Sequence, residues 1–297
     1  MVFEELKRRI SLLQRGEVAA RPPEDSRTSE PAALSDLAYH FPEGAVCDTD
    51  RGPAFVCEAA LADVYSGAPR LLDRYLAAFE RVEAMACEEA LPRFLAPLAA
   101  GGPDTTALID TETAGLHGRP LFLIGLVRCR DGELTLTQYF ARTYAEEAAI
   151  LQRLAALLPE LRLLISFNGK AFDWPFVRDR MTYHRLTCEP SFAHFDLLHP
   201  SRRRWRAELP NCKLQTLERY LCGRWRTGDI PSDRIPQCYH DYVREQDARL
   251  IAPIFHHNRL DLIAMTELFI ALVEGEAPMP ITPRRRTGAR AKGAPDV

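Results

Sequence analysis

The 297-residue sequence predicts an α/β fold: one mixed sheet with flanking helices, preceded by a small N-terminal α+β extension. Two observations carry this expectation. From Thr105 onward, three short apolar strand patterns follow one another, with Asp131-Gly132 as a hairpin turn signal between the second and third. After them, helical and strand spacings alternate, the order of a sheet covered by helices.

Taken along the chain, residues 3 to 15 read as an amphipathic helix with Phe3, Leu6, Ile10 and Leu13 on one stripe. From Gly16 to Asp36 the composition turns to Glu, Ala, Arg, Pro, Ser and Thr, which cannot bury enough apolar surface to order itself, so residues 1–36 are expected to be a helix and a linker. Residues 37–101 form the extension, with a strand at Ala54-Phe-Val-Cys57 and a helix from Pro69 to about Leu98. In that helix Leu71, Leu72, Tyr75, Leu76, Phe79, Val82 and Met85 recur at helical spacing, which predicts packing on the body and no chemistry.

Residues 102–275 hold the main domain. Ala107-Leu-Ile-Asp110, Pro120 to Val127 and Leu134 to Phe140 are its first three strands, an antiparallel meander. A helix over 144 to 158 turns Ala149, Ile150, Leu154 and Leu157 inward. Arg162 to Phe167 returns as a buried strand, a helix opens near Phe172, and a short strand at Phe192 to Phe195 leads to Asp196. The remainder is mainly helical. Residues 276–297 are rich in Pro, Gly and basic groups and read as a disordered tail.

A net charge of -3 gives no global attraction for nucleic acid, so any phosphate contact has to come from local Arg and Lys clusters. No signal-peptide pattern and no run of roughly 18 apolar residues occurs, which predicts a cytoplasmic protein without membrane contact. The eight cysteines contain no C-x-x-C pair and read as buried thiols. Cys212, Cys222 and Cys238 are the one remaining candidate for a metal cluster.

The chemistry is expected in three acidic motifs. Asp110 and Glu112 stand at i and i+2, so they leave a strand end on the same side, and a divalent cation resolves their repulsion. Asn168-Gly169 ends the later strand ahead of a helix that carries Asp173. There Asn168 can orient a carboxylate or touch substrate, and Lys170 can meet a phosphate. In His256-His-Asn-Arg-Leu-Asp261, His257 lies one helical turn from Asp261 and faces the same way, while His256 is rotated by about 100°. A carboxylate beside an imidazole supplies a metal ligand and a general base.

On Asp110-Thr-Glu-Thr-Ala-Gly-Leu116, Asn168-Gly-Lys-Ala-Phe-Asp173 and His257-Asn-Arg-Leu-Asp261, residues 105 to 273 resemble the DEDD 3′-5′ exonuclease superfamily. More closely they resemble its YprB-type ribonuclease-H-like domain family, with further likeness at Phe195-Asp-Leu-Leu-His199, Cys212 to Glu218, and Asp229-Ile-Pro231 followed by Ile235-Pro236. The resemblance implies a ribonuclease-H-like sheet and two ions, Mg²⁺ or Mn²⁺, held by Asp110, Glu112, Asp173 and Asp261. It also implies hydrolysis of DNA or RNA from the 3′ end, with His257 or else His256 as base. An endonuclease or resolvase on the same fold is the enzymatic alternative. A nucleic-acid-binding module with little turnover, working beside a helicase or other partner, is the third. Arg203, Arg204 and Trp205 are candidates for phosphate pairing and base stacking, with Lys170, Arg178, Arg180 and Lys213 as further phosphate contacts. Asp196 either supports the site or caps the helix after it.

Overall fold

A computed structural model describes residues 36–115, 118–187 and 191–275. The expected N-terminal helix, its linker up to residue 35, and the basic tail lie outside the described residues. Strands β1 (Gly44–Thr49), β2 (Gly52–Ala60), β3 (Thr106–Thr113), β4 (Leu121–Arg130), β5 (Glu133–Phe140), β6 (Leu163–Ser166) and β7 (Ala193–Asp196) form one sheet in the order β1-β2-β5-β4-β3-β6-β7. The pairs from β1 through β3 are antiparallel, and β3-β6 and β6-β7 are parallel. The meander turns where expected, since Asp131 and Gly132 both take positive φ, 52° and 77°.

Alternation along the strands divides the apolar residues between two faces. Ala107, Ile109 and Leu164 join the core beneath helix α2 (Glu147–Leu157), whereas Leu108, Leu163 and Ile165 join the opposite core. Helix α1 (Ala68–Cys87) crosses the second face, packing Tyr75 and Phe79 on Phe269 with ring centroids 5.8 and 5.1 Å away. It ends at Cys87, well short of Leu98. Glu89 takes a positive φ of 56° and Pro92 follows, so Leu95 and Leu98 reach the core from irregular backbone and a 3-10 turn instead. The strand expected at 54–57 is longer, and with β1 it continues the sheet beyond β5. Residues ahead of Gly101 therefore contribute two strands as well as packing.

Helices α3 (Asp173–Tyr183), α4 (Leu198–Trp205), α5 (Leu214–Leu221), α6 (Ile235–Glu245) and α7 (Ala252–Glu274) complete the frame. Helix α7 is the longest among the described residues, and its largely buried middle lies against β3 and β4. It closes on Gly275 in the left-handed conformation, φ 73°. Among the described residues no helix is long and apolar enough to cross a membrane.

Candidate active site

Strand β3 is buried through Ile109 and opens at Asp110, so the strand end delivers Asp110 and Glu112 half-buried beside the sheet. Asp110 lies opposite Gly125 of β4, and a bulge follows Glu112. The glycine is required here. A Cβ at position 125 would stand 2.0 Å from Asn258 Oδ1, so α7 approaches the sheet only because that side chain is missing. The close approach lets Asn258 Nδ2 donate to Asp110 Oδ2 at 2.7 Å while its Oδ1 accepts from Gln138 Nε2 at 2.8 Å. A buried amide thereby fixes the first acid.

Asp173 opens α3, where the helix dipole favours its charge, and its Oδ1 accepts from Thr111 Oγ1 at 2.6 Å. The turn ahead of it is held from β7. Asp196 accepts from the backbone N–H of Asn168 (2.8 Å), Lys170 (3.1 Å) and Leu198 (3.0 Å), and Asn168 adopts a left-handed φ of 63°. Asp196 thus supports the turn and caps the start of α4 together. The exposed Phe172 sits directly before Asp173.

Helix α7 carries Asp261 and His257 on one face. His257 is 4% exposed, its Nδ1 lies 2.8 Å from Asp229 Oδ1, and its Nε2 lies 3.5 Å from Asp261 Oδ2. His256 is exposed, on another face of the helix. Arg226 pairs its Nη2 with Asp261 Oδ1 at 2.6 Å, while Glu218 and Asp229 hold the rest of the guanidinium at 2.6 and 3.1 Å.

The electrostatics follow from this crowding. Burial, and then the charges of Asp261, Glu112 and Asp173, push the Asp110 carboxyl well above its ordinary range. Burial together with Asp261, Asp173 and Asp229 does the same to Glu112. Asp173 is raised by burial, against the hydrogen bond from Thr111. Burial also works to raise Asp229, but His257 and Arg226 outweigh it and hold that carboxyl below its usual range. Among the described residues no three His, Cys, Asp or Glu side chains converge on a finished metal cage. The acids share one region of negative charge, with Arg226 resting on Asp261.

Residues 107–273, more than half of the chain, match the family model of the RNase_H superfamily. The chain belongs to the RNase_H superfamily. The uncharacterized protein YprB of Bacillus subtilis (strain 168) is 35% identical over 179 residues, which cover 57% of this chain and 43% of that one. This RNase_H superfamily member therefore spans less than half the length of that relative. The family B DNA polymerase from the hyperthermophilic archaeon Pyrobaculum calidifontis is similar with a TM-score of 0.45 at 12% identity, covering 55% of this chain and 24% of that one. A likeness so slight carries no argument.

Several expected substrate contacts do not stand in this superfamily member as the sequence suggested. Trp205 is 0% exposed and packs in the core behind the sheet, so it has no ring face for a base. Arg180 is buried in an ion pair with Glu147, 2.5 Å long, that His184 shares, because α2 and α3 close over it. Arg204 pairs with Glu208 one turn on, at 2.9 Å. Arg178 and Lys213 are exposed. Lys170 and Arg203 instead line one cleft of about 370 Å³, with His199, Phe94 and Pro97, just past the ends of β6 and β7. Cys212, Cys222 and Cys238 are separate free thiols.

Sequence reasoning missed Thr111, Gly125, Gln138, Arg226 and Asn258 as parts of the site. Asn258 and Thr111 lie inside the motifs and were open to notice. Arg226 and Gln138 carry no local signal at all.

Proposed function

We propose that this chain is a metal-dependent nuclease that hydrolyses phosphodiester bonds of DNA or RNA from the 3′ end. The observation that carries the reading is that Asp110, Glu112, Asp173 and Asp261, from three separate segments, lie near enough to share charge: burial first, and then the charges of the other acids, push Asp110 and Glu112 up. Membership of the RNase_H superfamily supports nuclease-type chemistry, and an all-carboxylate donor set suits Mg²⁺ or Mn²⁺. These residues fit the ions, since divalent charge relieves the repulsion that adds to burial in raising Asp110 and Glu112.

Asp110, Glu112, Asp173 and Asp261 would hold two ions. When bound, such ions stabilise the attacking and leaving oxygens of an in-line displacement and acidify a water. The chain's own residues do the rest. Ionised Asp229 accepts from Nδ1 of His257, which leaves Nε2, on the Asp261 side, as the nitrogen that takes the proton of the attacking water. Asn258 and Thr111 orient Asp110 and Asp173. Arg226 screens Asp261 and tethers it to Glu218 and Asp229. Lys170, His199 and Arg203, around their cleft, receive the phosphates next to the one being cut.

The deciding experiment incubates the protein with end-labelled single-stranded and duplex DNA and RNA, in Mn²⁺ or EDTA, beside Asp110→Ala and Asp261→Ala. Stepwise shortening from the 3′ end, lost in EDTA and in both variants, is expected. Internal cuts would replace the exonuclease by an endonuclease. Equal binding by all three proteins with no cleavage of any substrate would sink the catalytic reading.

A further inference from the structure

A second cleft, of about 330 Å³, opens between α5 and the loop after it. Asn211, Gln215, Thr216, Arg219, Trp225 and Arg226 are among its walls. Trp225 is 59% exposed, so its indole is open to a ligand in the cleft. One face of its ring is taken by Arg219, whose Cζ lies 3.3 Å from the ring centroid. Arg219 has no ion pair among the described residues, and its buried Nε has no hydrogen-bond partner there. Arg226, by contrast, is ion-paired with Glu218, Asp229 and Asp261. The cleft thus holds an exposed aromatic plate, a cation stacked on it with unspent donors, and amide and hydroxyl groups beside them.

Two contacts join the cleft to the acids. Arg226 ends on Asp261 at 2.6 Å, and Gln215 Nε2 reaches Asp229, the partner of His257, at 3.5 Å. Whatever occupies the cleft is therefore next to the region where a phosphodiester would be cut. A planar group on an aromatic ring with a phosphate on an adjacent guanidinium is the chemistry of an unpaired nucleotide. In a duplex the interior bases are stacked on one another and offer no face to Trp225. The volume also suits one nucleotide unit rather than paired strands.

We propose that Trp225 and Arg219 form a nucleotide subsite that stacks one unpaired base and holds its phosphate, so that the substrate is presented to the acids as a single strand. This deepens the nuclease reading and rests on it for the identity of the ligand as nucleic acid. The subsite has no part in bond breaking. Removing it weakens binding of single strands and leaves the acidic centre intact.

The test measures binding apart from turnover, by anisotropy of a fluorescein-labelled short oligothymidylate and of a blunt duplex, with the full chain in EDTA at low salt. Trp225→Ala is expected to bind the single strand about 10-fold more weakly, Trp225→Phe to keep most of the affinity, and Arg219→Gln to flatten the salt dependence by about one phosphate contact. Wild-type tryptophan emission should be quenched by the single strand, and the quenching lost in Trp225→Phe. Unchanged melting temperatures show that these substitutions fold. Wild-type affinity in Trp225→Ala, or a duplex bound as tightly as the single strand, overturns the proposal. Cleavage assayed in Mn²⁺ keeps the two readings apart. Trp225-dependent binding without cleavage removes the nuclease reading alone, and cleavage with Trp225-independent binding removes this one alone.

Discussion

His257 and His256 differ in surroundings more than in sequence position. The first is enclosed between Asp229 and Asp261, and the second faces solvent, lowered by burial of part of its ring and by Arg259. If His257 takes the proton, His257→Ala loses activity by about 10² to 10⁴-fold while His256→Ala changes it little. Asp229→Asn keeps the shape but no longer enforces the tautomer, and a loss of about 10 to 100-fold is expected. Comparing the rates of the three variants under single-turnover conditions checks the order. An equal loss in His256→Ala and His257→Ala would contradict it.

Asp110 bears on stability as well as on chemistry. Its folded-state carboxyl is raised, so ionising it costs the metal-free protein stability at pH above that raised value, and the cost disappears as the pH falls to the ordinary carboxylate range. Metal-free Asp110→Asn should accordingly melt higher than wild type at neutral pH, by about 2–4 °C for each kcal/mol relieved. The gap should close on acidification. Mn²⁺ should raise the melting temperature of wild type and leave that of Asp110→Asn nearly unchanged. Thermal scans across pH, with and without the ion, measure both effects. A variant that melts lower than wild type at neutral pH would show that the acid is not strained.

At the scale of elements, the site depends on how closely α7 approaches β4. Gly125→Ala places a methyl group 2.0 Å from Asn258 Oδ1, with Asn258 already committed to Asp110 and Gln138. Neither partner can yield cheaply. The variant should lose about 1–3 kcal/mol in urea unfolding, typical of overpacking, and lose activity out of proportion as Asp110 is displaced. Unchanged stability would mean that the helix is free to move.

Several elements were legible because their signals are local. The Asp131-Gly132 turn and the inward stripe of α2 follow from backbone conformation and periodicity, which neighbours in sequence set. The end of α1 was less so. Leu91, Leu95 and Leu98 prolong its apolar spacing, but Pro92 and the left-handed Glu89 stop the helix. Trp205 shows the same limit on the other side, since a tryptophan among arginines has the composition of a stacking platform and the burial of a core residue. Trp225, with little local pattern to mark it, is the exposed one.

Across the whole molecule, order in sequence and nearness in space meet at one end of the neighbouring strands β3, β6 and β7. The parallel placement of β6 and β7 beside β3 brings the Asn168 turn and Asp196 to the end of the strand that carries Asp110 and Glu112. Helix α7, packed across the sheet and covered by α1, brings Asp261 to the same place. By itself the sequence determined the strand and helix order from Thr106 onward, the ordered acidic motifs and their family likeness, because each rests on spacing within a few residues. Only the tertiary structure decided that Asn258 holds Asp110, that Arg226 rests on Asp261, that Asp229 holds His257, and which basic and aromatic side chains face solvent. Those are contacts across tens of residues or more, fixed by how closely helices and sheet can pack, and no short stretch of sequence records that distance.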